Sequence, residues 1–129
     1  KAGDFVRTLT AELLPEHVGA GFAGLFPLAT SKLQRPLMAM PDESVVMTLF
    51  LLRFPFPGYP DTAGLLAQNR RLYDRAVALG GKRYLIGAVP DMSSHDWRRH
   101  YGRDWPGFAI AKRLYDPSNV LTPGQGIFA

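Results

Sequence analysis

Apolar positions along the chain change period several times, and proline and glycine mark most of the changes. Phe5, Val6, Leu9, Leu13 and Leu14 fall near helical spacing and stop before Pro15, predicting a first helix capped by Gly3-Asp4. GFAGLFPLA, Gly21 to Ala29, alternates small and large apolar residues and predicts a strand, with Pro27 marking an edge or an end. Ser31 to Pro41 is polar and proline-containing, a loop. SVVMTLFLLRF, Ser44 to Phe54, is nearly unbroken apolar and rich in β-formers, which predicts a strand covered on both faces. PFPGYPD then breaks the pattern with a rigid loop. Asp61-Thr62 caps a helix with an apolar face of Leu65, Leu66, Leu72, Tyr73, Ala76, Val77 and Leu79, and Gly80-Gly81 supplies a left-handed stop. KRYLIGAV, Lys82 to Val89, predicts another strand. Ser93 or Ser94 opens a short helix with Asp96 in its first turn, and Gly102 interrupts it. Asp104 caps a last helix with Pro106 in its first turn, ending before Pro117.

Strands mixed with helices in this order predict the α+β class, an antiparallel sheet with helices packed on one face. A strand as apolar as Val45 to Leu52 belongs inside a wider sheet than these few strands build, so the sheet is expected to be part of a larger one. A chain of 129 residues is one domain's worth and buries roughly two thirds of its unfolded surface. The longest apolar run is far short of the ~20 residues that span a bilayer, and the first residues mix Lys1, Asp4, Arg7 and Glu12 with apolar positions, unlike a signal peptide. Beginning at Lys1, the chain reads as an internal or processed piece. The net charge of +4 is scattered except at Arg70-Arg71 and Arg98-Arg99, each with carboxylates nearby, which reads as solvated helix faces. Neither a nucleic-acid nor a membrane partner is expected.

Most catalytic chemistries find no support. The absence of cysteine removes thiolate nucleophiles and thiolate metal sites. His95 and His100 are five apart, about 140° around a helix, so they share no ligand face, and His17 stands alone; surface or capping roles are expected for all of them. No strand–turn–helix nucleophile elbow surrounds a serine. GAGFAG, Gly19 to Gly24, resembles a dinucleotide fingerprint only in spacing, because a helix precedes it and a strand follows. Trp97, Tyr101, Trp105, Phe108 and Tyr115 recur at mostly three- and four-residue steps and predict a core stripe, one that could also back onto a flat cofactor. In the tail, Pro123-Gly124 suits a type II turn that would present Thr122 and Gln125 with backbone N–H groups. Two readings stay open there: a neutral hydrogen-bonding set for a cofactor, or a tail that only turns and tucks Ile127 and Phe128 away.

DPSNVLTPGQGIF resembles the C-terminal signature of flavoprotein oxidases of the vanillyl-alcohol oxidase type. Joined to HDWRRHYGRDWPGFAIAKRLYDP, LLAQNRRLYDRAVALGGKRYL and DESVVMTLFLLRF, in that family's order, it is similar to the cytokinin dehydrogenases over essentially Asp4 to Phe128. The resemblance implies that residues 1–129 are the C-terminal portion of a substrate-binding domain, with 116–129 a tail docking toward FAD on a flavin-binding domain of the same protein. It implies that Tyr84, Thr122 and Gln125 contact FAD, with Thr122 standing where the family usually has serine. It places Leu85 beside substrate and flavin, and Leu33 in the substrate-lining segment, where PLATSKLQ keeps Pro27, Leu28, Ser31 and Lys32. Leu33 and Gln34 replace a tryptophan and an acidic residue usual in plant members, which changes the volume and stacking offered to a purine. No segment matches the family's flavin-binding domain or its catalytic aspartate, so no catalytic residue is assigned in this chain. The function implied is part of an FAD-dependent oxidoreductase that oxidises a small amine or alcohol, such as an N6-substituted adenine, by hydride transfer to flavin. The alternative is a free-standing basic α+β binding module without catalysis.

Overall fold

The computed structural model describes residues 2–33, 35, 37–58, 61–84, 92–121 and 126–128. Helices α1 (Ala2–Glu12) and α2 (Pro15–Val18) precede strand β1 (Phe22–Ala29), a single 3-10 turn (Thr30–Lys32) and strand β2 (Val45–Leu52). Helices α3 (Thr62–Ala78), α4 (Ser94–Tyr101) and α5 (Trp105–Tyr115) follow, with a 3-10 turn (Gly102–Asp104) joining the last two. The class is α+β with an antiparallel sheet, as the pattern of periods predicts.

β1 and β2 pair antiparallel from Phe22 opposite Leu52 to Ala29 opposite Val45. This register puts Phe22, Phe26 and Phe50 on one face and Leu25, Leu49 and Met47 on the other. Neither face is closed over by the described residues: Phe22, Phe26, Val45, Met47 and Phe50 are exposed. The two-sided cover expected for β2 is therefore not supplied from within this chain's described part. Gly19 and Gly21 bring the chain against the far end of β2. A β-carbon on either would sit 2.0 Å from a backbone oxygen, of Phe54 and Leu52 respectively. These glycines serve close backbone approach, and α2 before β1 is the wrong order for a phosphate cradle.

Local capping explains most helix ends. Asp61 accepts the Gly64 amide at 2.7 Å and starts α3, and Gly80, at φ 87°, turns the chain out of it. Ser93 and Asp96 form a reciprocal capping box at the start of α4. Two expected caps are corrected. α1 begins at Ala2, so Asp4 lies inside the first turn and pairs with Arg7. Asp104 has helical angles and makes no capping bond, because the 3-10 turn runs straight into α5. The predicted strand over Lys82 to Val89 is not seen at Lys82–Tyr84, and its remainder lies outside the described residues.

α1 and α3 are tied by Arg75 Nη1 to Glu12 Oε1 at 2.6 Å and by Gln68 Nε2 to the Glu12 carbonyl at 3.0 Å. Buried Gln68 also accepts Arg53 Nη2 at 2.7 Å, linking α3 to the end of β2. A separate aromatic core holds α4, α5 and the chain's end together: Met92, Trp97, Tyr101 and Ile127 are buried, with Tyr73, Trp105, Phe108 and Phe128 packed on them. The expected core stripe is thus present, except that Tyr115 is exposed. No helix among the described residues is long and apolar enough to cross a membrane.

Candidate functional site

The end of α5 and the start of the tail are shaped by one carboxylate. Asp116 accepts the amides of Val120 and Leu121 at 2.8 Å each and pairs with Lys112, while Asn119 takes a left-handed φ of 52°. The Lys112 hydrogen bond, then the two amides, hold the Asp116 carboxyl below the ordinary carboxylate range. This is the physical content of the Asp-Pro start of the tail: proline ends the helix and the aspartate wraps the following turn around itself. Beyond the turn, Ile127 is 4% exposed and Phe128 stacks on Trp105 at 5.3 Å between ring centroids. Both flanks of residues 122–125 are therefore anchored on α5 and the aromatic core.

The segment before Tyr84 is anchored as well. Lys82 Nζ donates to the carbonyls of Arg99 and His100, at 3.3 and 3.0 Å, at the C-terminal end of α4, where a cation complements the helix dipole. The Arg83 guanidinium lies 5.2 Å from the Trp97 ring and 6.0 Å from the Tyr73 ring. Tyr84 itself is 64% exposed.

A cleft of about 620 Å³ opens between the 30–43 segment and the α4–α5 junction, lined in part by Leu33, Met38, Met40, Lys82, His100 and Tyr101. The surface or capping role expected for histidine holds at His17, whose Nδ1 accepts the Leu14 amide at 3.2 Å. It fails at His100. That ring is 5% exposed, edge-on to Trp97 and Tyr101, and burial, then Lys82 and Arg83, push its pKa down to about 4. His100 is a neutral wall of the cleft at physiological pH. The spacing of Trp97, His100 and Tyr101 along one helix face carried that signal.

The structure thus puts Leu33 on the cleft wall and leaves Tyr84 exposed at the end of a segment whose Lys82 lines the same cleft. Leu85, Thr122 and Gln125 lie outside the described residues. Arg83 and the buried His100 are additions for this region, whereas Tyr101 belongs to the aromatic stripe already expected.

A family model described as cytokinin dehydrogenase 1, FAD and cytokinin binding, matches residues 1–128. The chain belongs to this family. A Rhodococcoides fascians protein described as an uncharacterized oxidoreductase, ORF5 in the fasciation locus, is 35% identical over 124 residues, covering 96% of this chain and 28% of that protein. Cytokinin dehydrogenase 3 of Oryza sativa subsp. japonica is 46% identical over 135 residues, covering 97% of this chain and 25% of the relative. Cytokinin dehydrogenase 1 of the same organism is 34% identical over 110 residues, covering 84% and 20%. The chain spans about a quarter of the length of the curated relatives it matches. The family expected from the tail and helix motifs is the family found.

Proposed function

We propose that this chain forms the substrate-side wall and the cofactor clamp of an FAD-dependent oxidoreductase of the cytokinin dehydrogenase kind, acting with a flavin-binding domain of the same protein. In this reading Tyr84, Thr122 and Gln125 hold FAD, Leu85 and Leu33 face the substrate, and no catalytic side chain comes from the chain. Bound FAD would supply the oxidising chemistry, accepting a hydride from an amine or alcohol carbon. The chain's own residues position the ring, exclude water and shape the pocket.

One observation carries the reading: Tyr84 is left 64% exposed directly after Lys82 and Arg83 are tied down. An uncovered aromatic side chain with a polar tip, on an anchored segment, suits contact with one side of a flat ring. The anchored residues on either side of 122–125 support the clamp in the same way, since a segment held at both ends loses less entropy on binding. With Leu33 in place of a large flat side chain, the pocket is roomier than in plant cytokinin dehydrogenases, and poor turnover of isopentenyladenine by the whole enzyme is expected.

The test is flavin retention in the whole enzyme. Gln125→Ala should weaken noncovalent FAD binding by roughly three- to tenfold, the size of one neutral hydrogen bond, and Thr122→Ser should be nearly silent. Gly124→Ala should do more if that residue needs φ > 0. Full flavin occupancy and normal flavin reduction in Gln125→Ala would make the tail a tether and not a clamp.

A further inference from the structure

The described part of the 82–84 segment alternates: Lys82 is exposed, Arg83 is half-buried and Tyr84 is exposed. Arg83 is thus the most buried of the three, although Lys82 also reaches the α4 carbonyls through its Nζ. Its guanidinium lies over two rings from different helices, Tyr73 of α3 and Trp97 of α4, and Trp97 is only 2% exposed. Its Nε is buried without a hydrogen-bond partner. What the structure shows around the guanidinium is therefore two aromatic faces at cation–π distance. Burial lowers the Arg83 pKa, the expected sign for a cation drawn into an aromatic layer, and the side chain stays charged.

We infer that Arg83 is a positioning residue for Tyr84: by bridging Tyr73 and Trp97 it fixes the chain on the helix layer and sets the direction in which Tyr84 leaves it. The inference rests on the reading of Tyr84 as a flavin contact. Lys82 ties the same segment to the α4 carbonyls, so attachment does not rest on Arg83 alone and its own part is orientation. Arginine is required for this task because an ammonium offers no flat face to stack.

The experiment compares Arg83→Ala, Tyr84→Ala and the double variant in the complete holoenzyme, reading the visible absorption spectrum of the flavin together with thermal stability. Both single variants should move the flavin spectrum in the same direction. The double variant should move it no further than the larger single one, because residues acting through one contact are not additive. Apparent FAD affinity on reconstitution should fall by roughly three- to tenfold in each, the size of one lost polar or ring contact. If Tyr84→Ala changes the spectrum while Arg83→Ala only lowers the melting temperature, Arg83 is a structural residue and the inference fails alone. If Tyr84→Ala is silent, the cofactor reading of Tyr84 fails and the inference falls with it. Should Arg83→Ala not accumulate as folded protein, Arg83→Met decides. It keeps the stem and removes the flat cation, so a wild-type flavin spectrum in that variant overturns the inference.

Discussion

The β1–β2 ribbon and the α4–α5 end are both rich in large apolar residues, yet only the helical end buries any of them. At the helical end, Trp97, Tyr101 and Ile127 are at most 4% exposed, and rings from two helices and the chain's end lock in edge-on and stacked pairs. In the ribbon, Phe22, Phe26, Val45, Met47 and Phe50 are each more than 40% exposed, spread over both faces of the sheet. A two-stranded ribbon with two wet apolar faces is marginal by itself. The helical end closes a small core around α4, while Ile110, Leu114 and Tyr115 of α5 stay exposed; the ribbon contains no buried residue. The curated relatives that the chain matches are about four times as long. We propose that a wider sheet, in a longer protein of this family, covers the ribbon's faces.

The largest effect that would break this contrast is Trp97→Ala. Loss of a buried indole should cost about 3–5 kcal/mol in denaturant titration of the 129-residue chain. A cost near that of a surface residue would show that the helical end is no more closed than the ribbon. Acidification comes next. His100 has its folded pKa depressed to about 4 from 6.5, so below pH 6.5 the unfolded chain binds a proton that the folded chain refuses. Stability is complete above pH 6.5 and is lost as pH falls toward 4, by up to about 3 kcal/mol. Melting curves across that range should show the slope in the wild type and a flatter one in His100→Gln. Ser93→Ala removes one half of the α4 capping box and should cost about 1 kcal/mol. Phe50→Ala should be the smallest, about 1 kcal/mol or less in this chain, because the ring is already 41% exposed and loses mainly its stacking on Phe22. In the complete enzyme the same change should cost as much as deleting a core phenylalanine. Equal small costs in both contexts would leave the ribbon's faces without a cover.

Local signals were legible wherever one stretch of chain decides its own structure. Asp61 before the apolar face of α3, Ser93 with Asp96, Gly80 after the last turn and the run from Val45 to Leu52 each carry their reason within a few residues. Asp104 misled because its signature, an acidic residue before proline, assumes a break that the 3-10 turn does not make. His100 misled because its burial depends on rings from one face of α4 and on what that face packs against. Arg83 carries no periodic signal at all. Its meaning comes from Tyr73 and Trp97, which the fold brings together from different helices. Of the site, Leu33 lines the cleft and Tyr84 is exposed, whereas Leu85, Thr122 and Gln125 lie outside the described residues.

Under the function proposed above, this chain supplies one side of a flavin site and a flavin-binding domain supplies the other. Calorimetric titration of FAD into the isolated 129-residue chain tests it most directly. No saturable binding is expected at micromolar FAD, because Tyr84 and the tail would meet the cofactor from one side only. A saturable micromolar site in this chain alone would contradict it.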